Sequence, residues 1–450
     1  MTSTENYDFV IKNGTFVLPN PLNQESFVLQ KTSVACRAGK IVAIGDQVQH
    51  KATNVFDANH LHVLPGVIDS QVHFREPGLT HKEDIETGTR GAVLGGVTSV
   101  FEMPNTTPST TNKMEFEEKL RRAKDRSWSH ISFFIGATPE NIDDLPELEQ
   151  LPHCCAIKIF MGSSTGSLLV EEDDVLERIL AHGQRRVAVH AEDEQRLKER
   201  KNLALNSQHP RSHPVWRDEL SALKATERLL RAARKTNRLV HVLHVTTAQE
   251  MTLLKQNLDL ATVEVTPQHL TLTAPECYER LGTLAQMNPP IRDAQHQEAL
   301  WAALRDGTVT VIGSDHAPHT LEEKSKPYPS SPSGMTGVQT LVPLMLNHVH
   351  LGNLDLFRMV ELCSRNPARL YGATTKGAIA IGKDADFTIV DLKRKESISN
   401  KWIASRSAWT PFDGYQVQGW PMATVVGGRL AMSDGQTIGQ PQGEFISFDL

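Results

Sequence analysis

The pattern of the sequence changes after Pro65-Gly66, and this change constrains the fold more than any other feature. From there on, short β-branched runs alternate with longer amphipathic stretches of helical character, which is typical of βα units around a parallel sheet. Eight such strands are the number that closes a (β/α)8 barrel. We predict them at residues 67–69, 98–102, 131–135, 156–160, 186–190, 239–244, 262–265 and 308–313.

Both ends of the chain show a different pattern, with short β-like runs separated by glycine and asparagine turns. These runs lie at residues 8–12, 40–44, 385–391 and 423–427. The 450 residues suffice for a barrel of about 250 residues and one smaller domain. We therefore predict an α/β protein with a TIM-like barrel at 65–374 and a small β-sandwich built from 1–64 and 375–450.

Composition argues against several classes of protein. Lys and Arg number 47 against 53 Asp and Glu, and no basic tract indicates a nucleic-acid partner. No apolar run approaches the roughly 18 residues of a membrane span, and the N-terminus lacks the features of a secretory signal. Five cysteines without CxxC spacing favour reduced thiols. We expect a cytoplasmic protein without a membrane or nucleic-acid partner.

Polar side chains stand at or just after the ends of several predicted strands, where a βα barrel carries its active site. They are His73, Lys158, His190, His244 and Asp315. A lone histidine in such a place is usually structural. Several imidazoles and carboxylates at one end of a barrel are costly to bury without partners or a metal ion. Nitrogen and oxygen ligands without cysteine favour catalytic Zn²⁺ with an open water position.

This ligand set predicts hydrolytic chemistry. Two zinc ions about 3.5–4 Å apart would hold an activated water and polarise a carbonyl group. Asp315 is predicted both to bind metal and to act as general acid and base. Lys158 is either a salt-bridged barrel lysine or a lysine carbamylated by CO2, which would become a bridging carboxylate. Its apolar neighbours, residues 156–161, favour a neutral, nucleophilic amine.

Five segments of the barrel resemble the dihydroorotase family of the amidohydrolase superfamily. They are 71–78 (QVHFREPG), 103–106 (MPNT), 190–193 (HAED), 288–292 (NPPIR) and 314–319 (SDHAPH). Segments 377–386 and 410–414 of the C-terminal part resemble the same family, so the similarity spans nearly the whole chain. It implies reversible cyclisation of N-carbamoyl-L-aspartate to dihydroorotate in pyrimidine synthesis.

The resemblance also implies roles for individual residues. His73, carbamylated Lys158, His190, His244 and Asp315 would bind zinc, and Arg75, Asn105 and His319 would hold the substrate carboxylate. Asn288 begins a segment that either presents backbone groups to the ring amide or forms a plain turn. The Pro-, Ser- and Gly-rich stretch 321–337 is expected to close over the substrate. A homodimer or homotetramer is expected.

One position departs from the family, whose first strand usually carries His-x-His. Here Gln71 precedes His73, and an amide oxygen is a weak metal ligand. Three interpretations stay open: two zinc ions with one loosely held, a single zinc ion, or a non-catalytic relative that serves as a scaffold for aspartate transcarbamoylase. A hydantoinase or allantoinase-like enzyme is a further alternative, although Arg75 favours a ring that bears a carboxylate.

Overall fold

In the computed structural model, residues 7–46, 48, 52–163 and 168–449 are described. Residues 1–6 belong to the N-terminal segment in which we expect no secretory signal, and they lie outside the described ranges. The strands are β1 Tyr7–Asn20, β2 Asn23–Arg37, β3 Lys40–Ile44, β4 Ala52–Asp57, β5 His62–Pro65, β6 Val67–Val72, β7 Val97–Glu102, β8 His130–Gly136, β9 Cys154–Phe160, β10 Val187–His190, β11 Val240–Val242, β12 Ala261–Val265, β13 Val311–Ile312, β14 Phe387–Ser397, β15 Gln416–Val426, β16 Arg429–Ser433 and β17 Gln436–Thr437.

Helices follow most of the central strands. They are α1 Ile85–Leu94, α2 Lys113–Ala123, α3 Leu145–Leu148, α4 Asp173–Ala181, α5 Glu194–Ser207, α6 His213–Trp216, α7 Glu219–Thr236, α8 Ala248–Lys255, α9 Pro267–Thr271, α10 Glu276–Leu281, α11 Ala294–Arg305, α12 Leu321–Lys324, α13 Leu341–His350, α14 Leu356–Val360 and α15 Asn366–Tyr371. Across the described ranges, none of these helices has both the length and the apolar character needed to cross a membrane.

Strands β6 to β13 form one parallel sheet in which spatial order follows chain order. The first and last strands meet where Val72 bridges to His316 and the amide of His73 donates to the His316 carbonyl at 2.7 Å. The sheet is therefore a nearly closed barrel. The predicted (β/α)8 architecture is confirmed, and every predicted strand overlaps an observed one.

Strands from both ends of the chain form a second sheet beside the barrel. Its order is β17-β16-β15-β14-β5-β1-β2-β3, with β4 paired to β1. The two chain ends join where β14 runs antiparallel to β5, with Phe387 opposite Pro65. A sheet domain made from both ends, as predicted, is confirmed.

The helices pack on the barrel through apolar faces at helical spacing. Helix α7 shows how the sequence fixes one of them. Asp218 caps its N-terminus by accepting from the Ser221 amide, and Asn237 ends it in the left-handed region at φ 52°. Between these caps, Ala222, Ala225, Leu229 and Ala233 recur every three or four residues and are fully buried.

Two strands end earlier than the sequence predicts. Strand β11 stops at Val242 although the prediction extends to residue 244, and β13 covers only two residues of 308–313. His244 and Asp315 have φ angles of 37° and 45°, which no strand can accommodate. The chain therefore leaves the strand direction at each of these polar side chains. Strained backbone of this kind is often found at functional sites.

Candidate active site

A small cavity lies at the carboxyl ends of the barrel strands. It is lined by Gln71, His73, Arg75, Asn105, Phe160, His190, His244, Asn288, Asp315, Ala317, Ser333 and Gly334. Seven of the nine predicted site residues are in this lining. The other two lie directly behind it: His319 is 3.4 Å from Arg75, and the Lys158 Nζ atom is 4.5 Å from the centre of the Phe160 ring.

Two of the predicted ligands, His190 and His244, face each other. Nδ1 of His190 is 3.0 Å from Nε2 of His244. Nε2 of His190 is 3.0 Å from Oε2 of Glu192, a fully buried carboxylate, which favours a proton on that nitrogen. The lone pair of Nδ1 is then directed at His244. A neutral His244 can donate from Nε2 to this lone pair; with the proton on Nδ1 of His244 instead, both facing nitrogens are free to bind a metal ion.

Glu192 stays ionised because Arg217 is its partner. Burial raises the pKa of Glu192, but the Arg217 guanidinium and the His190 ring lower it by more than burial raises it. The net pKa of Glu192 is therefore well below its usual range. Nε of Arg217 is 3.1 Å from both carboxylate oxygens. Sequence reasoning missed this pair, although Glu192 lies inside the HAED segment.

A second pair consists of His73 and Asp315. Nδ1 of His73 is 2.7 Å from the amide oxygen of Asn105, which can only accept, so Nδ1 carries the proton. The unprotonated Nε2 is 3.2 Å from Oδ1 of Asp315. A lone pair and a carboxylate oxygen at this distance need a cation or a proton between them, so the donor chemistry fits a metal ion.

Gln71 approaches the same carboxylate. Its Nε2 donates to Oδ1 of Asp315 at 3.1 Å, and its Oε1 is buried without a hydrogen-bond partner in the described structure. The oxygen is available as a weak ligand, as the sequence suggested. An imidazole in this place would be a stronger donor.

The surroundings of Lys158 favour the neutral amine that reaction with CO2 requires. It is fully buried, and within the described ranges its Nζ has no hydrogen-bond partner. Burial lowers the pKa of Lys158 to about 7, while the charges of Asp315 and Glu264 oppose the shift. A large share of the amine is therefore neutral near pH 7. The salt-bridge alternative has no support, because no carboxylate contacts Nζ among the described residues.

Histidine and carboxylate side chains do not complete a metal site by themselves. In the part of the chain that the structure describes, no three His, Cys, Asp or Glu side chains form a group that could hold a metal ion. Each of the two pairs needs a further donor of another kind. Lys158 as a carbamate is such a donor, and water is another.

Two of the three residues predicted to hold the substrate carboxylate, Arg75 and His319, lie side by side. Arg75 is fully buried at φ 63°, and its Nε donates to the Pro318 carbonyl at 3.2 Å. Burial lowers the pKa of Arg75 to about 10, so the guanidinium stays charged at neutral pH. Lys82, which sequence reasoning missed, lies 3.1 Å from Nδ1 of His319 and 3.1 Å from Glu323. The Lys82 ammonium donates to Nδ1, so Nε2 of His319 carries the proton, and it donates to the Ser333 carbonyl at 3.0 Å.

Residues 321–337, which the sequence predicts as a loop over the site, begin with one short helix and are otherwise a loop. Residues Leu321–Lys324 form α12, capped by Thr320, and the rest is irregular. The buried Nζ atom of Lys324 donates to the carbonyls of Gln286, Pro332 and Gly334 at 2.8–3.1 Å. Gly334 has φ +136°, and a Cβ there would lie 2.3 Å from the Ala317 carbonyl. The loop is therefore held against the cavity, with no room for a side chain at this position.

The chain matches the amidohydrolase family over residues 62–431. A dihydroorotase from Pyrococcus abyssi is 38% identical over 388 residues, covering 85% of this chain and 87% of that protein. A dihydroorotase from Methanosarcina mazei is 35% identical over 456 residues, covering 98% of this chain and 97% of that protein. Among solved structures, the L-hydantoinase (dihydropyrimidinase) from Arthrobacter aurescens has a TM-score of 0.91 at 27% identity, covering 98% of this chain and all of that one.

Proposed function

The chain belongs to the amidohydrolase family, and from its similarity to dihydroorotases along almost its whole length we propose that it is a metal-dependent dihydroorotase. It interconverts N-carbamoyl-L-aspartate and dihydroorotate with release or uptake of water. The proposed metal ligands are His73, Lys158 as a carbamate, His190, His244 and Asp315, and we propose zinc as the ion.

The observation that supports the metal dependence is the clustering of donor atoms at one end of the barrel. Nδ1 of His190 lies 3.0 Å from Nε2 of His244, and Nε2 of His73 lies 3.2 Å from Oδ1 of Asp315. In the second pair a nitrogen lone pair faces a carboxylate oxygen, which is unfavourable in a dry site without a cation. Two pairs support two ions, with the one beside Gln71 held more weakly. When bound, a divalent ion supplies an acidified water and polarises the amide carbonyl.

The chain's own residues do the rest. Arg75 and His319 bind the carboxylate of the substrate, and their buried positions exclude water that would weaken the pairing. We assign Asp315 the proton transfer: in hydrolysis it accepts a proton from the attacking water and returns it to the departing ring nitrogen. Cyclisation runs the same transfers in reverse.

The hydantoinase alternative is favoured by the fold similarity to solved hydantoinases, at about a quarter sequence identity. The buried guanidinium of Arg75 argues against it, because an unsubstituted hydantoin has no carboxylate to pair with that charge. We further propose a cytoplasmic location, since all five cysteines are unpaired. The domain division at 65–374, and assembly as a dimer or tetramer, also remain proposals.

A substrate panel separates these functions. Purified protein is supplied with zinc and bicarbonate, and hydrolysis of dihydroorotate, hydantoin and allantoin is measured under the same conditions. We expect kcat/KM for dihydroorotate to exceed the other two by at least a hundredfold. Preference for hydantoin would identify the alternative enzyme, and loss of all three activities would favour the scaffold.

A further inference from the structure

His213 contacts two segments that meet at the cavity, residues 287–288 and the loop over the site, yet it lies outside the segments that resemble the family. It begins α6 and is fully buried. Its Nε2 atom is 3.1 Å from the Met287 carbonyl and 2.9 Å from Oδ1 of Asn288. Its Nδ1 atom is 3.5 Å from the hydroxyl of Tyr328, which belongs to the loop over the site.

These contacts fix the tautomer of His213. A backbone carbonyl can only accept a hydrogen bond, so the Nε2 atom facing Met287 must carry a proton. Burial and the charge of Arg217 lower the pKa of His213 to about 3, so the ring is neutral at physiological pH. Nδ1 is therefore an acceptor, and the Tyr328 hydroxyl is the donor that faces it.

The tautomer in turn fixes the amide of Asn288. The atom of Asn288 next to a protonated Nε2 must be its oxygen, because an NH2 group would place two donors face to face. The NH2 group is the other end of the same amide, and no described residue accepts a hydrogen bond from it. Asn288 lines the cavity, so this donor is available to a ligand there.

We propose that His213 is a positioning residue, which holds the Asn288 side chain with its NH2 group toward the cavity so that it donates to a carbonyl oxygen of the substrate ring. The inference rests on the proposed function, because the ring carbonyl is that of a cyclic amide such as dihydroorotate. It gives Asn288 a side-chain role, whereas the sequence suggested only backbone contacts or a turn. The contact with Tyr328 ties this arrangement to the loop over the site.

A double-mutant cycle tests the proposal. KM and kcat for dihydroorotate are measured for wild type, His213→Phe, Asn288→Ala and the double variant. Each single variant should raise KM by about threefold to tenfold, the size of one neutral hydrogen bond, with a smaller change in kcat. The double variant should be no worse than Asn288→Ala alone. Additive effects would show that His213 does not act through Asn288 and would overturn the inference.

Two controls separate positioning from stability. His213→Gln keeps a donor and should recover most of the wild-type KM. His348→Phe removes another buried histidine, bonded to Thr271 at 2.9 Å and outside the cavity lining, and should lower the melting temperature without changing KM. If His213→Phe behaves like His348→Phe, His213 is only structural.

The tautomer itself has a readout that needs no turnover. The ¹⁵N spectrum of the His213 ring should show a proton on Nε2 and none on Nδ1 between pH 6 and 8. A charged ring or the opposite tautomer would overturn the inference. Wild-type protein that does not hydrolyse dihydroorotate would instead overturn the proposed function, and the carbonyl-binding role with it.

Discussion

Replacement of Arg75 by lysine should make substrate binding dependent on pH. Arg75 is fully buried beside His319, and burial lowers its pKa only to about 10, so its charge is constant between pH 6.5 and 8.5. The two fully buried lysines near the site behave differently: burial lowers the pKa values of Lys158 and Lys324 to about 7. A lysine at position 75 should follow them and lose its charge as the pH rises through neutrality.

The size of the effect follows from these values. At pH 6.5 the ammonium retains a charge but lacks the bidentate fork, and the loss of one charge-assisted hydrogen bond, about 1.5 kcal/mol, raises KM roughly tenfold. Above neutrality KM should rise about tenfold more per pH unit as the charged fraction falls. At pH 8.5 the ratio of variant to wild-type KM should therefore reach about 300.

The assay is steady-state hydrolysis of dihydroorotate at pH 6.5, 7.5 and 8.5 for wild type, Arg75→Lys and Arg75→Gln. Only the ratio of variant to wild-type KM is used, because the titration of the metal site is common to all three proteins. Arg75→Gln has no charge to lose, so its ratio should be high and constant. A constant ratio for Arg75→Lys, or a KM equal to that of wild type, would refute the role of Arg75 as the carboxylate-binding cation.

Three further substitutions give separate tests. Gln71→His replaces the weak amide oxygen beside Asp315 and should tighten the weaker zinc site at least tenfold in chelator competition; unchanged affinity would contradict the ligand role of this position. Arg217→Met leaves Glu192 charged and unpaired in the interior, and denaturant unfolding should show a loss of about 3–5 kcal/mol, against less than 1 kcal/mol if the pair is unimportant. Burial raises the pKa of Asp386, but its ion-pair partners hold it far below the usual range, so its contribution to stability is present above about pH 4 and is lost as the pH falls. Asp386→Asn should therefore flatten the loss of unfolding free energy between pH 5 and 2, and an unchanged acid profile would contradict this.

The barrel could be predicted because its strands carry a local signal. Buried parallel strands are continuous β-branched runs, and these stand out between amphipathic helices in all eight cases. The ends of β11 and β13 could not be predicted in the same way. The turns at His244 and Asp315 have positive φ angles, which are uncommon for any residue other than glycine, so they depend on the surrounding tertiary structure.

The site residues likewise divide into those that the sequence could predict and those that it could not. Residues at strand ends or inside known motifs were identified from the sequence, and the structure brings seven of the nine into one cavity. His213, Lys82 and Arg217 were missed, because each acts through a partner distant in the sequence. His213 meets Asn288 across 75 positions, and nothing near His213 distinguishes it from the other histidines of the chain, 19 in all.

Zinc content and dihydroorotate hydrolysis, measured on one purified sample before and after chelation, test the proposed metal-dependent function most directly. We expect about two zinc ions per chain, with activity that chelation abolishes and that zinc restores only with bicarbonate, because Lys158 must be carbamylated again. Near one zinc ion with full activity would show that the site beside Gln71 need not be filled. Little zinc and no hydrolysis, even after zinc and bicarbonate are added, would contradict the proposed function.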